Sequence, residues 1–205
     1  MDGVLLDSEP LHFEVARRIF ALDGFTYTHE LNREFIGSTT DHVMATLVER
    51  HRLPRTAADY CAAYDVAIVE VMREPREPAD GVRWLLSELA ARGVRVGLAS
   101  SSWRRWIDAT LAGLGLTDTF PVAVGGDMVP HGKPAPDVYL EAARQLGVPP
   151  SACIAIEDSG TGLAAALAAG MKGVGLITPH IDPDRLSAAH KVIRTLRDFP
   201  LDWIS

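Results

Sequence analysis

With 205 residues, 47% hydrophobic and 23% charged side chains and a formal net charge of −7, the chain has a globular composition rather than a disordered one. No run of Lys or Arg exceeds a pair, which sets nucleic acid and anionic membranes aside as main partners. A small anionic ligand remains open, because a local pocket can oppose the global charge. No apolar stretch approaches a membrane span and no secretory leader is evident, while Cys61 and Cys153 lack CxxC or Cys/His ligand spacing; these features predict a cytoplasmic protein with reduced thiols.

The chain opens on an acidic turn, MDGVLLDSEP, of the kind that normally follows a strand, with no strand before it. From Glu9 to Leu22 the apolar spacing predicts a helix, with Pro10 in its first turn and Gly24 beyond its end. Further helices are predicted near Glu30–Phe35, Asp41–His51 and Ala57–Met72, punctuated by Gly37, Pro54 and the segment REPREP. No strand-like alternation is found before Val94, and the first 78 residues carry no lysine. Thereafter helix and short apolar run alternate four times. DGVRWLLSELAARG leads into VRVGLASSS, another helix into PVAVGGD, PDVYLEAARQLGV into ACIAIEDSG, and LAAALAAGMK into GVGLI. That rhythm predicts a parallel sheet covered on both faces. The expected organisation is an α/β core, residues 1–8 and 79–205, with a helical insert over residues 9–78.

In open α/β sheets ligands bind at the carboxyl ends of the strands. Polar residues recur there: Asp2-Gly3 at the start, Ser100 after VGLA, Lys133 in HGKPAPD and Glu157-Asp158 after CIAI. Lysine is scarce, with three against 17 arginines, so Lys133 between Gly and Pro stands out. Carboxylates without His or Cys suit a hard cation such as Mg²⁺, which keeps waters and binds beside substrate phosphate. A lysine and a hydroxyl would hold the remaining phosphoryl oxygens. Each residue also has a plain structural reading. Asp2 fits a terminal turn, one of Ser100–Ser102 is expected to cap the helix starting near Trp103, Glu157-Asp158 fits an acidic helix start, and Lys133 fits a solvated loop.

In order, DGVLLDSEP, LASSS, GKPAPD and IEDSGTG resemble the four motifs of the haloacid dehalogenase superfamily, in its branch of helical-cap phosphatases and β-phosphoglucomutase-like enzymes. The resemblance runs from Asp2 to about Ile177 and implies a Rossmann-like parallel sheet with an inserted helical cap. The first motif of that family is Asp-x-Asp-Gly, in which the first Asp attacks phosphorus and the second is the acid/base. Asp2-Gly3 matches the second Asp and its Gly, and Met1 falls on the variable position. The nucleophile would therefore precede Met1, and the expectation is a native chain that begins upstream; a shortened, inactive protein is the other reading. The resemblance implies Asp2, Ser100 and Lys133 as catalytic residues and Mg²⁺ on Asp2, Glu157 and Asp158. It implies substrate contacts from Gly3, His12, Gly37, Ser101 and Ser102.

Within the superfamily, Asp2 favours phosphoryl over dehalogenase chemistry, since a leaving halide needs no proton. The lysine-free insert lacks the Schiff-base lysine of the phosphonoacetaldehyde-cleaving branch. The position matching the mutases' phosphate-gripping arginine is Thr40, and one matching a mutase cap aromatic is Ala16. The expectation is an Mg²⁺-dependent phosphatase of a small phosphorylated metabolite, a monomer or weak dimer with no nucleic-acid or membrane partner. A β-phosphoglucomutase-like phosphotransferase and an inactive metabolite-binding protein are the alternatives.

Overall fold

The computed structural model describes residues 1–35, 38–179 and 181–204. Two compact units emerge: Met1–Asp7 with Pro75–Ser205, and Ser8–Glu74. None of the described helices is long and apolar enough to cross a membrane.

The smaller unit is helical: α1 (Glu9–Ala21), α2 (His29–Glu34), α3 (Thr40–His51) and α4 (Ala57–Arg73). Pro10 sits in the first turn of α1, where its missing N–H is no loss. Threonines start the next three helices. The hydroxyls of Thr28, Thr39 and Thr56 accept from Leu31, His42 and Asp59 N–H, and Asp59 returns the bond to Thr56 N–H as a capping box. On α4 the buried residues Tyr60, Tyr64, Ile68 and Met72 fall at four-residue intervals, so one stripe faces inward. The stripe meets Val15, Ile19 and Phe20 of α1, with the Phe20 and Tyr60 rings 5.0 Å apart. Asp23, just past α1, accepts from Tyr60 Oη at 2.8 Å and from Arg55 Nε at 2.6 Å. Arg55 in turn lies over the Tyr60 ring, 4.4 Å from its centroid.

In the larger unit, α5 (Val82–Ala91) leads into β1 (Gly97–Ala99), α6 (Arg104–Gly113), β2 (Val122–Val124), α7 (Asp137–Leu146), β3 (Ile154–Glu157), α8 (Gly160–Ala168), β4 (Lys172–Leu176) and β5 (Lys191–Ile193). All strand pairs are parallel, with registers Leu98↔Ala123, Ala155↔Gly173 and Gly175↔Val192. The fold is α/β, as the alternation of helix and apolar run predicts. Two differences from that expectation stand out. The strands form two hydrogen-bonded groups, β1-β2 and β3-β4-β5, rather than one. In addition β5, a three-residue strand with two exposed positions, carries too little periodicity to be read from sequence. Helix α7 joins the groups: Val138, Tyr139, Ala142 and Ala143 form one core with Val122 and Val124 of β2, Ala155 of β3 and Ala165 and Ala166 of α8. The opening segment enters this unit through buried Val4, Leu5 and Leu6, and Leu5 C=O accepts from Ala79 N–H at 2.8 Å. Arg76 N–H donates to Gly113 C=O at 3.0 Å, which draws residues 75–78 to the same unit.

The hydrogen bond from Tyr60 holds the Asp23 carboxyl below its usual range against the opposing effect of burial, with Arg55 adding to the shift. A carboxyl depressed on folding contributes stability above its unfolded value, about 3.9, and loses it as the pH falls through its folded value. Urea unfolding of Asp23→Asn should therefore give a lower midpoint than the parent at pH 7, with the gap narrowing toward pH 3; a gap independent of pH would contradict this account.

Candidate active site

Beyond β1 the backbone stays paired: Ser100 N–H donates to Val124 C=O at 3.0 Å, and Ser100 is only 4% exposed. Its hydroxyl accepts from Ser102 N–H at 3.1 Å, turning the loop so that Ser102 Oγ donates to Asp2 Oδ2 at 2.9 Å. The expectation that one of these serines caps the following helix is corrected here. Trp103 occupies the N-cap without a side-chain bond, and Asp127 Oδ1, from beyond β2, accepts Arg104 N–H at 2.8 Å. A remote carboxylate thus takes the capping role and leaves Ser100 and Ser102 to each other and to Asp2. Ser101 is exposed.

At the end of β3, Glu157 turns inward and is buried. One oxygen, Oε1, accepts from both Lys133 Nζ and Tyr139 Oη, and the other accepts from Ser159 Oγ at 3.1 Å. Ser159 also caps α8 by accepting Gly162 N–H at 3.0 Å. A β-carbon on Gly162 would overlap the Glu157 carboxylate, so a glycine is required where the helix meets the charge. Lys133 Nζ lies 3.4 Å from Ala99 C=O, so one ammonium reaches the last residue of β1 and the last of β3. Burial pushes the Glu157 carboxyl up, while the Lys133 charge and the hydrogen bonds from Lys133 and Tyr139 pull it down, and the net shift is downward.

Asp158 lies against Gly3. A β-carbon there would overlap the Asp158 carboxylate, and the backbone of Gly3 is left-handed at φ +69°. Burial first, then the charge of Glu157 and more weakly that of Asp2, raises the Asp158 carboxyl to about 6. Crowded carboxylates that resist ionising together call for a cation. Among the described residues no three His, Cys, Asp or Glu side chains are grouped as a metal-ligand set. Glu157, expected near the metal, has both oxygens engaged by protein donors. The oxygens of Asp2 and Asp158 fit a hard cation that takes one or two carboxylates and completes its shell with water and phosphate oxygen, the habit of Mg²⁺.

The expected residues thus fall into three linked contacts within the larger unit: Asp2 with Ser102 and Ser100, Gly3 with Asp158, and Lys133 with Glu157. His12 belongs to the helical unit, where its Nδ1 is 2.5 Å from Tyr64 Oη. Gly37 lies outside the described residues. Two participants escaped sequence reasoning. Tyr139, the third residue of α7 and six residues beyond Lys133 in the preceding loop, reads from sequence as one more core aromatic of that helix. The second, Ser159, carries a capping signal just before GTG.

Residues 1–176 match the family model described as haloacid dehalogenase-like hydrolase. The chain belongs to this family. A probable pseudouridine-5'-phosphatase of Drosophila melanogaster is 35% identical, the match covering 97% of this chain and 88% of that protein. Fructose-1-phosphate phosphatase YqaB of Escherichia coli is 33% identical, over 85% of this chain and 92% of the relative. Among solved structures, CbbY from Rhodobacter sphaeroides in complex with phosphate superposes with a TM-score of 0.87 at 28% identity, covering 100% of this chain and 96% of that one. These are the similarities of a hydrolase of the phosphatase branch.

Gly3→Ala tests the contact with Asp158. The left-handed backbone alone should lower stability by about 1–2 kcal/mol, and overlap with the Asp158 carboxylate should lower it further. An unchanged melting midpoint would contradict the packing described.

Proposed function

We propose that this protein is a Mg²⁺-dependent phosphatase of small phosphorylated metabolites, phosphomonoesters of the sugar-phosphate kind. The observation that carries the reading is the hydrogen bond from Ser102 to Asp2 at the same strand ends as the Lys133–Glu157 pair. An oriented carboxylate and a buried ammonium at those strand ends suit protonation of a leaving group and support of a developing phosphoryl charge. Relatives named as a phosphorylated carbohydrates phosphatase, a fructose-1-phosphate phosphatase and a hexitol phosphatase support the substrate class.

The chemistry is two displacements at phosphorus. In the first, the nucleophilic carboxylate of the family's first motif, at the position preceding Met1, forms a bond to phosphorus while the bond to the ester oxygen breaks. Asp2 gives its proton to the departing oxygen, and the alcohol leaves. In the second, Asp2 takes a proton from water as that water's oxygen attacks the aspartyl-phosphate; inorganic phosphate departs and the attacking carboxylate is regenerated. The Lys133 ammonium and Ser100 hydroxyl hold phosphoryl oxygens, while Glu157 anchors Lys133. Mg²⁺, held by Asp2 and Asp158, supplies positive charge to the phosphoryl oxygens when bound. In the family's pattern a helical insert selects the leaving alcohol, and His12 and Gly37 are the residues of this chain to which the resemblance gives that part.

The test is phosphate release from hexose, pentose and hexitol monophosphates and an aryl phosphate, using protein with an aspartate at the position before Met1. Turnover should require Mg²⁺ and vanish with chelator. Lys133→Met and Asp158→Asn should each lower kcat by roughly 10²–10³-fold. No release from any ester, or unchanged turnover in either variant, would remove the assignment; phosphate binding without turnover would favour the metabolite-binding reading.

A further inference from the structure

Tyr139 has no part in the chemistry above, yet its hydroxyl is committed to the most buried charges of the site. Its phenol donates to Glu157 Oε1, the oxygen that also receives Lys133. The Lys133 nitrogen lies 3.3 Å from Tyr139 Oη and 4.8 Å from the ring centroid. The side chain is 6% exposed, on the first turns of a helix that packs against β1 and β2. An ammonium has three protons to donate. Those of Lys133 have three acceptors: Glu157 Oε1, Ala99 C=O at 3.4 Å and Tyr139 Oη at 3.3 Å. The last two distances are at the long end of hydrogen bonding, so these acceptors are readily exchanged for better ones.

We propose that Tyr139 is a positioning residue for Lys133. By donating to Glu157 Oε1 it takes part of the carboxylate's charge, so the ammonium is anchored there by one proton and keeps two for a phosphoryl group. Its ring closes one side of the ammonium and limits where those two can point. A neutral donor sharing the acceptor prevents the lysine from being drawn wholly into its own ion pair, whose attraction grows in a buried setting. Burial and the adjoining Glu157 charge hold the phenol well above its ordinary range, so it remains a donor throughout the working pH range. The plainer role, a core aromatic with a satisfied hydroxyl, predicts an effect on stability alone.

The inference rests on the phosphatase reading, and its test separates the two. Inorganic phosphate is titrated calorimetrically into the protein carrying an aspartate at the position before Met1, at saturating Mg²⁺ and well below each variant's melting midpoint, so that only folded molecules are counted. Tyr139→Phe keeps the ring and removes one oxygen; it should weaken phosphate binding roughly three- to tenfold, the scale of one ordinary hydrogen bond. Lys133→Met should weaken binding further, and adding Tyr139→Phe to it should change nothing more, because the hydroxyl acts through the lysine. Phosphate affinity within twofold of the parent in Tyr139→Phe, with only the melting midpoint lowered, overturns the positioning role and leaves the phosphatase reading intact. An equal loss in the Lys133→Met background overturns it too. No phosphate binding by the unsubstituted chain would overturn both.

Discussion

The buried pair between Lys133 and Glu157 is the constraint on which the larger unit turns. Removing two charges from water costs several kcal/mol per ion, and mutual attraction recovers that only when the remaining hydrogen-bonding capacity is also met. Here it is met. Tyr139 and Ser159 serve the carboxylate, while Ala99 C=O lies within reach of the ammonium. Those partners come from β1, α7 and the start of α8, so satisfying one ion pair fixes the relative placement of elements that share no strand ladder. The apolar core under α7 follows the same path from β2 to β3, and polar and apolar forces agree on where the two strand groups stand.

Around that pair the site carries an excess of negative charge. Asp2, Glu157 and Asp158 meet one lysine, and the cost falls on Asp158, whose carboxyl burial and its neighbours push up. A binding site left short of positive charge is suited to a ligand that brings a cation with it. A divalent ion, alone or carried with a phosphate monoester, fits that description, and a lone anion fits it less well. The net charge of −7 is therefore no obstacle to an anionic substrate, because the decisive field is local.

The helical unit is built on different principles. Its helices begin on threonines that satisfy their own first-turn amides, and its core is a ladder of aromatic and aliphatic residues between α1 and α4. Asp23, Arg55 and Tyr60 close one end of that ladder with a charged cluster. Such a unit holds its own core independently of the chemistry in the other.

Local information was legible from the sequence. The helices of the insert were readable because apolar period and punctuating Gly and Pro act within a few residues. The order of β1 to β4 was readable because apolar runs closing on polar loops mark strand ends. Ser100 and Asp158 stood out because each follows such a run, Lys133 because lysine is scarce, and Asp2 because it lies in an acidic turn of the kind that follows a strand. What the sequence left undecided depends on contacts between distant segments. The serines yield the capping of α6 to Asp127, the strands separate into two ladders, β5 forms by pairing with β4, and Tyr139 turns from a core aromatic into a partner of Glu157. Caps and apolar periods are written within a few neighbouring residues, whereas the choice among competing acceptors and strand partners is made only when burial removes water as the alternative.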